Sequence, residues 1–300
     1  MVGKEQITTV DDGLLILAPA KINLSLLVAG KRPDGYHEIE TIMAKVDLFD
    51  EILIRQGKKN GIALLCEGPQ WAPPGRENLV YRAAELFFAE CDKQADISIT
   101  LTKNIPAGSG LGSGSSDAAA TLIGLNKFLK TNLDKQKLAK LAAQLGSDVN
   151  FFLNGPLALC KGRGEKIQKF DENFDFLALL ILPNVSVSTK KVYDNYRHDR
   201  ALYEELSTRI NGYLEKNRID LVSGMCANML DESCFDLVKN LAELRKKIES
   251  SGIKPCCLSG SGSAMFYFVG CANEEKARQY KHKLGEKIGC RSIVVRNNRW

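Results

Sequence analysis

Residues 104–117, NIPAGSGLGSGSSD, form the stretch of this sequence best suited to hold a phosphate group. Glycines alternate there with small residues, and glycine lets backbone N–H groups turn inward and approach a ligand closely. The alternating apolar run 96–102 precedes the stretch, and an alanine-rich run from residue 118 follows it. The pattern predicts a strand, a loop and a helix N-terminus, where free N–H groups and the helix dipole favour an anion.

Common phosphate-loop patterns do not fit this loop, because no lysine follows its last glycine and the spacing differs from G-x-G-x-x-G. The alternative is a flexible glycine–serine linker, but regular apolar patterns border the stretch on both sides. Ser115, Ser116 and Asp117 are residue types that cap helices, so they predict a helix that begins directly after them.

Composition sets broad limits on the protein. A length of 300 residues allows two domains, and 44% hydrophobic with 26% charged residues predicts a globular fold. The net charge of +5 is spread along the chain, so no nucleic-acid surface is expected. The polar N-terminus and the shortness of every apolar run predict neither a signal peptide nor a membrane span, and therefore a cytoplasmic protein.

The nine cysteines lack paired C-x-x-C spacing, and the chain has three histidines. We therefore expect neither a disulfide framework nor a structural zinc site. The adjacent Cys256 and Cys257 are interpreted as small buried residues.

Strand patterns dominate the first half of the chain and helix patterns the second, which predicts a domain boundary near residues 155–170. After Pro19 the residues alternate, so that Lys21, Asn23 and Ser25 share one face of a strand. Asp148 follows a helix that ends at Gly146, where a solvated turn carboxylate is the simplest interpretation. Residues 235–250 repeat leucine and isoleucine at helical spacing and predict one helix.

Four separated motifs carry a resemblance to a known family: PAKINL at 19–24, RPDGYH at 32–37, the glycine loop at 105–117 and LSGSGS at 258–263. Together they resemble the GHMP small-molecule kinases. The first two resemble the members that act on 4-diphosphocytidyl-2-C-methyl-D-erythritol (CDP-methylerythritol). The resemblance implies an α+β, two-domain fold, with a ribosomal S5 domain 2-like domain at 1–165 and a ferredoxin-like domain at 166–300.

The same resemblance implies a reaction, in which ATP phosphorylates a hydroxyl of CDP-methylerythritol to give its 2-phosphate and ADP in non-mevalonate isoprenoid biosynthesis. ATP and Mg²⁺ are the implied cofactors, a small molecule is the implied partner, and no nucleic acid or membrane is expected. The catalytic pair would be Asp148 as general base and Lys21 as charge stabiliser.

The remaining site residues also follow from the resemblance. The positions that match ATP contacts are Asn78, Leu79, Lys103, Pro106, Ala107, Gly108, Ser109, Gly110, Leu111, Gly112, Ser113, Gly114, Ser115 and Ser116. The positions that match substrate contacts are Asn23, Tyr36, His37, Thr189 and Tyr193. No acidic residue matches a metal ligand, although Ser115 or Ser116 offers Mg²⁺ a hydroxyl.

Three positions depart from the family pattern. Ser109 and Ser113 stand where many members have glycine, which requires an ordinary φ at both serines. Asn150 stands where proline is usual, shortly after Asp148. None of these three departures removes a catalytic group.

Several alternatives stay open at this point. The chain could be another GHMP kinase that acts on mevalonate, homoserine or a sugar, and the D-G-Y-H motif argues against this. It could be a catalytically silent ligand-binding member, against which the presence of both Lys21 and Asp148 argues. An RNA-binding module is the third alternative, and the scattered charge gives it little support. The sequence leaves the oligomeric state open.

Overall fold

Two β-sheets form the framework of the protein. The structure, a computed structural model, describes residues 5–58, 60–170, 174–270 and 273–300. The strands of the first sheet are β1 Ile7–Val10, β2 Gly13–Lys31, β3 His37–Gln56, β4 Gly61–Glu67, β5 Asp96–Thr102, β6 Leu157–Gly162 and β7 Lys166–Lys169. Those of the second sheet are β8 Leu177–Leu182, β9 Cys257–Leu258, β10 Met265–Phe268 and β11 Arg291–Arg296.

Two long strands organise the first sheet. The strand order is β1-β2-β3-β5-β4, and β6 and β7 continue from the first part of β3. β4 runs parallel to β5, whereas the other neighbouring strands are antiparallel. β2 is buried over nearly its whole length, and a bulge at Leu24 shifts its register against β3. Such bulges re-aim side chains without ending the strand.

Helices cover one face of this sheet. They are α1 Leu79–Glu90, α2 Ser113–Phe128, α3 Lys135–Leu145 and α4 Val149–Phe152. The central helix α2 lies very close to the sheet, because a Cβ built on Gly124 would lie 2.6 Å from Ile16 Cδ1 and 2.7 Å from Ile54 Cδ1. The alanines that follow the glycine loop are therefore small for a packing reason: they let α2 lie near β2 and β3.

The second sheet has the order β11-β8-β10-β9 and is antiparallel. Its helices are α5 Thr189–Asn195, α6 Arg200–Leu214, α7 Ile219–Met225, α8 Asp231–Leu237, α9 Lys239–Ser250 and α10 Glu274–Lys283. A single π-type turn, Leu284–Ile288, continues α10. Among these and the helices above, none is long and apolar enough to cross a membrane.

The single helix predicted for residues 235–250 is wrong. The chain forms α8 and α9 instead, and the break lies at Val238, whose φ of −129° and ψ of 76° are not helical. The apolar spacing continues through this break, although Leu237 at the end of α8 is exposed and only Leu241 and Ile248 of α9 are fully buried. Periodicity alone therefore does not locate the break.

The expectation about cysteines needs a correction. Cys256 and Cys257 are buried, as predicted, but Cys257 forms a disulfide with Cys226. Cys226 directly follows α7 and has a left-handed backbone, which turns the chain toward β9. A pair separated by 31 residues in the sequence has no recognisable spacing, so the sequence did not predict it.

The two halves share contacts, and the predicted boundary between residues 165 and 166 stays a prediction. β7 lies just beyond that boundary and still pairs with β6 of the first sheet. Leu26 of β2 exchanges backbone hydrogen bonds with Ala227 and Met229, at 2.7 Å and 2.9 Å. One hydrophobic cluster accordingly contains side chains from β2, β3 and the second sheet.

The close approach of α2 to the sheet predicts different outcomes for two helical glycines. We expect Gly124→Val to lower the free energy of unfolding by about 2–3 kcal/mol, because the added methyl groups overpack the space held by Ile16 and Ile54. The same change at Gly212 of α6 meets no atom within 4 Å and should stay within about 0.5 kcal/mol. Urea denaturation of both variants provides the measurement, and equal losses at the two positions would contradict the packing argument.

Candidate active site

Three glycines of the loop between β5 and α2 require their residue type. Gly108, Gly110 and Gly112 have φ of +65°, +79° and +70°, in the left-handed region that disfavours side chains. Ser109 and Ser113 are absent from the residues with positive φ. Both serines therefore have the ordinary φ that the sequence analysis required at these positions.

Helix α2 begins earlier than predicted. Its first residue is Ser113 and its N-cap is Gly112, so Ser115, Ser116 and Asp117 lie inside the first turns and do not precede the helix. The left-handed Gly112 brings the chain into the helix without a capping side chain. No side chain makes a capping hydrogen bond at this helix N-terminus, which leaves its first N–H groups available to an anion.

A second glycine–serine loop, at residues 258–263, packs against the first. A Cβ on Gly110 would overlap the carbonyl oxygen of Ser259, so the two backbones touch directly. The Ser259 hydroxyl donates to Gly110 O at 3.0 Å and accepts from the N–H of Asn23 at 3.4 Å. Ala264 N–H donates to Ser109 O at 2.9 Å. The second half of the chain thus helps to shape the phosphate loop.

Lys21 lies where β2, the glycine loop and Asp148 meet. It is 3% exposed, and its ammonium donates to Asn23 Oδ1 at 2.5 Å and to Gly110 O at 2.7 Å. Asp148 Oδ2 lies 3.9 Å from the same nitrogen. Burial lowers the pKa of the Lys21 ammonium, and the nearby Asp148 carboxylate opposes that shift.

The orientation of the Asn23 amide follows from its neighbours. Thr41 donates its hydroxyl proton to Ser25 O at 2.6 Å, which leaves Thr41 Oγ1 as the acceptor for Asn23 Nδ2 at 2.8 Å. The amide oxygen of Asn23 therefore points to Lys21. Both ends of this amide have partners within the protein, and its predicted contact with substrate stays a prediction. Lys21 and Asn23 share a face of β2, as predicted.

Asp148 precedes α4 and remains accessible. One third of its side chain is exposed, and it makes no capping hydrogen bond to the helix. The turn at Gly164 comes near it, since a Cβ there would lie 3.6 Å from Asp148 Oδ1. The carboxylate is thus held at the surface of the site by Lys21 and is free to accept a proton from a bound molecule.

A buried ionic cluster lies under the glycine loop. Lys103 contacts Asp50, Ser113 and Asp117, with 2.7 Å to Asp117, and all four residues are buried. Asp50 Oδ1 also accepts from the N–H groups of Asn104 and Ile105, at 2.5 Å and 2.8 Å, which holds the beginning of the loop. The cluster therefore fixes the loop from below.

Burial and the neighbouring carboxylates change the pKa of Lys103 in opposite directions. Burial opposes the Lys103 ammonium, but the carboxylates of Asp117 and Asp50 outweigh it and raise the pKa of Lys103. Burial raises the pKa of Asp117. The predicted place of Lys103 near the adenine stays a prediction, while the structure supplies its ammonium with partners inside the protein.

Asn78 and Leu79 lie beside the loop at the start of α1. Asn78 is the N-cap: its Oδ1 accepts from Val80 N–H at 2.9 Å, and its amide nitrogen donates to Pro73 O at 2.8 Å. Leu79 packs toward the loop, since a Cβ on Gly114 would lie 3.4 Å from Leu79 Cδ1. Leu111 is buried, and its carbonyl accepts from Lys21 N–H at 2.9 Å. Their contacts with ATP stay predictions.

A group of aromatic side chains lies near Asp148. The His37 ring centroid lies 5.2 Å from that of Tyr193 and 5.8 Å from that of Tyr196. Burial lowers the pKa of His37, and the Lys31 charge adds to this, so the ring favours its neutral form. Burial raises the pKa of Tyr193, and the Asp148 charge adds to it. The structure brings His37 and Tyr193 together, as the sequence predicts for one subsite.

Two further predicted substrate residues border this group. Tyr36 is 54% exposed, and the Arg163 guanidinium lies 4.7 Å from its ring centroid. Thr189 begins α5, and its hydroxyl lies 2.8 Å from that of Ser261 in the second glycine–serine loop. An exposed ring with a cation over it is suited to stack a flat ligand.

A cavity of about 280 Å³ opens beside the glycine loop. Its walls include Pro106, Ala107 and Ser109 of the loop, the exposed Trp71, and Val185 from the second half of the chain. The glycine loop thus borders the cavity on one side, and Trp71 gives it an aromatic wall. Its dimensions and chemistry fit a ring system attached to a phosphate group.

Metal binding has to rely on few protein ligands. The described residues contain no group of three or more His, Cys, Asp or Glu side chains arranged around a metal position. Ser116 in the first turn of α2 has a buried hydroxyl without a hydrogen-bond partner. Mg²⁺ commonly takes one or two protein ligands together with phosphate oxygens and water, so the residues present fit such an ion.

Comparison with known proteins agrees with this geometry. The GHMP kinases N terminal domain matches residues 78–156, and the GHMP kinases C terminal domain matches residues 210–289. A relative from Clostridium botulinum (strain Eklund 17B / Type B), named 4-diphosphocytidyl-2-C-methyl-D-erythritol kinase, is 36% identical over 91% of this chain and 96% of its own. The chain belongs to the 4-diphosphocytidyl-2-C-methyl-D-erythritol kinase family of GHMP kinases. GHMP kinases use ATP as the phosphate donor.

Further relatives support the same family. A protein of the same name from Pelotomaculum thermopropionicum is 39% identical over 88% of this chain and 91% of its own. A crystal structure of 4-(cytidine 5'-diphospho)-2C-methyl-D-erythritol kinase has a TM-score of 0.73 at 32% identity and covers 95% of this chain and 99% of that chain. Homoserine kinase from Cytophaga hutchinsonii, with a TM-score of 0.74 at 20% identity, shows the shared fold alone. The predicted two-domain GHMP kinase fold is confirmed.

Sequence reasoning missed several residues of this GHMP kinase site. Thr41, Asp50 and Ser259 hold other groups in place, and Tyr196 and Arg163 border the aromatic subsite. Tyr196 lies three positions after Tyr193, a spacing that would have placed both on one side of a helix. A lone threonine or aspartate in a strand gives no comparable signal.

The Asn23 amide gives a testable role to the Thr41 hydroxyl. We expect Thr41→Val to lower kcat about tenfold, because the valine leaves Asn23 Nδ2 without an acceptor and frees the amide to turn away from Lys21. Thr41→Ser keeps the hydroxyl and should retain most of kcat. Steady-state kinetics, with urea denaturation to correct for stability, gives the comparison. Equal kcat in the valine and serine variants would refute the role.

Proposed function

We propose that this chain transfers the γ-phosphoryl group of ATP to a hydroxyl of 4-diphosphocytidyl-2-C-methyl-D-erythritol, giving its 2-phosphate and ADP in non-mevalonate isoprenoid biosynthesis. The observation that carries the proposal is similarity along nearly the whole chain to relatives named for this kinase activity. The D-G-Y-H motif and the aromatic group around His37 support the cytidyl substrate.

The glycine loop would bind the triphosphate. Its backbone N–H groups and the N-terminus of α2 supply a positive field without a mobile side chain. The adjoining cavity with Trp71 would take the nucleoside part of ATP. Ser116, with its unpartnered hydroxyl, would hold Mg²⁺ together with the phosphates. Bound Mg²⁺ neutralises phosphate charge, which phosphoryl transfer requires.

Asp148 would act as the general base. Its carboxylate is partly exposed and makes no hydrogen bond to the helix that it precedes, so it can accept the proton of an attacking hydroxyl. Lys21, 3.9 Å away, pairs with this carboxylate and would stabilise the charge that develops on the transferred group. Gly110 O and Asn23 hold the ammonium so that it need not reorganise.

The aromatic group would bind the cytidyl end of the substrate. Tyr36 offers an exposed face for stacking, and the neutral His37 ring offers one donor and one acceptor for a base edge. Tyr193, whose ring adjoins that of His37, and Thr189, at the start of the same helix, would bind the diphosphate of the substrate. Substrate and ATP would then approach Asp148 from opposite sides.

The substrate assignment predicts selective turnover. We expect ADP release with ATP, Mg²⁺ and CDP-methylerythritol, and no release above background with mevalonate, homoserine or galactose as the acceptor. A coupled spectrophotometric assay of ADP measures all four acceptors under one set of conditions. Turnover with another acceptor alone would overturn the substrate assignment. It would not affect the assignments of the fold and of the catalytic pair.

The catalytic pair predicts matched losses of rate. We expect Asp148→Asn and Lys21→Ala each to lower kcat by roughly 10²–10³, because each removes a charge that acts in the transition state. Both variants should still bind ATP, which isothermal titration calorimetry can establish. Asp12→Asn, at an exposed carboxylate in the turn between β1 and β2, serves as the charge-matched control for Asp148. Near-normal kcat in either catalytic variant would refute its assigned role.

A further inference from the structure

Lys45 is a buried cation that the mechanism above does not use. It lies on β3, directly opposite Lys21 in the register of β2 and β3, and is 1% exposed. No carboxylate among the described residues comes within ion-pair distance of it, in contrast to the buried Lys21 and Lys103. An unpaired buried ammonium is costly, so what it contacts needs a reason.

The Lys45 ammonium binds the end of α4. It donates to Phe152 O at 3.1 Å and to Asn154 O at 2.9 Å. Asn154 satisfies two other carbonyls of the same turn, because its side chain donates to Asn150 O at 2.7 Å and its N–H to Phe151 O at 3.0 Å. A cation here supplies donors that the last carbonyls of a helix otherwise lack. Lys45 thus completes the C-terminal end of α4.

The other end of α4 is Asp148. α4 spans only Val149–Phe152, so a shift at its last carbonyls is passed directly to the residue that precedes it. Lys21 contacts that first end and Lys45 the last end, from opposite positions on neighbouring strands. One short helical turn is therefore held between two lysines of the same sheet.

Packing connects this turn to the rest of the site. A Cβ built on Gly112 would lie 2.8 Å from Phe152 Cζ and 3.0 Å from Lys21 Cγ. The Phe152 ring and the stem of Lys21 thus both lie against Gly112, at the start of α2. The environment also disfavours the charge of Lys45: burial lowers its pKa to about 7, and repulsion from Lys169 adds to this.

We propose that Lys45 is a positioning residue that holds the α4 segment, and through it the Asp148 carboxylate, in place for phosphoryl transfer. The proposal rests on the role of Asp148 as general base given under the proposed function. Lys45 touches neither ATP nor the acceptor in this arrangement and acts only through the carbonyls that it binds. A misplacement of about 1 Å in a catalytic group is enough to cost up to about 10²-fold in rate.

The test compares two substitutions at Lys45 in the full chain. Lys45→Met keeps the length and volume but has no donor, whereas Lys45→Gln restores neutral amide donors. We expect kcat to fall about tenfold in the methionine variant and less in the glutamine variant, with KM for ATP and for CDP-methylerythritol within about twofold of wild type. Amide hydrogen exchange over residues 149–154 should be faster in the methionine variant.

The control for simple loss of stability is Ile99→Ala, which truncates a buried side chain of β5. It should lower thermal stability and leave both kcat and exchange at 149–154 unchanged. Unchanged kcat in folded Lys45→Met, the same kcat loss in Ile99→Ala, or unchanged exchange at 149–154 would each overturn the proposal. If the methionine variant does not fold, the glutamine variant provides the test. A tenfold loss of kcat in Lys45→Gln, with hydrogen exchange at residues 149–154 equal to that of wild type, would also overturn the proposal.

Failure of this proposal can be distinguished from failure of the proposed function. Normal turnover in Asp148→Asn would remove the role of Asp148 as base. The exchange measurement on the Lys45 variants does not depend on turnover and would still decide whether Lys45 holds the α4 segment.

Discussion

The ammonium of Lys21 has to be satisfied inside the protein, and this requirement decides which segments must meet. Removing an ion from water costs several kcal/mol unless hydrogen bonds and an opposite charge replace the water. The replacements come from β2 through Asn23, from the glycine loop through Gly110 O, and from the turn before α4 through Asp148. Three segments distant in sequence therefore have to converge on one nitrogen.

The second glycine–serine loop completes this convergence from the other half of the chain. A Cβ on Gly260 would lie 3.2 Å from Asn23 Oδ1 and 3.4 Å from Lys21 Nζ, so bare backbone closes over the pair. Ser259 connects Asn23 to Gly110 through its hydroxyl. A side chain at Gly110 would overlap the backbone of Ser259 and separate the two loops, whereas a side chain at Gly260 would press on Asn23 and Lys21.

Much of this arrangement was predictable from sequence, since it rests on local patterns. Alternation correctly predicted that Lys21 and Asn23 share one strand face, and the glycine-rich stretch correctly predicted a loop between a strand and a helix. The start of α2 was missed, because capping preference is weak compared with the buried contact between Ser113 and Lys103. With this contact, the helix begins at Ser113, before the predicted capping residues. Asp50 and Thr41 were missed because a polar residue in a strand suggests solvent unless its distant partner is known.

The three buried lysines show how the same side chain is given different tasks. Lys103 lies between two carboxylates that raise its pKa, so its charge is paired within the protein beneath the loop. Lys45 donates to two backbone carbonyls and lies 5.9 Å from the centroid of the Phe151 ring. Lys21 has a single carboxylate at 3.9 Å, longer than the 2.7 Å contact between Lys103 and Asp117. A cation whose pairing is incomplete keeps electrostatic attraction for a further anion, which suits the role proposed for Lys21 toward the transferred phosphoryl group.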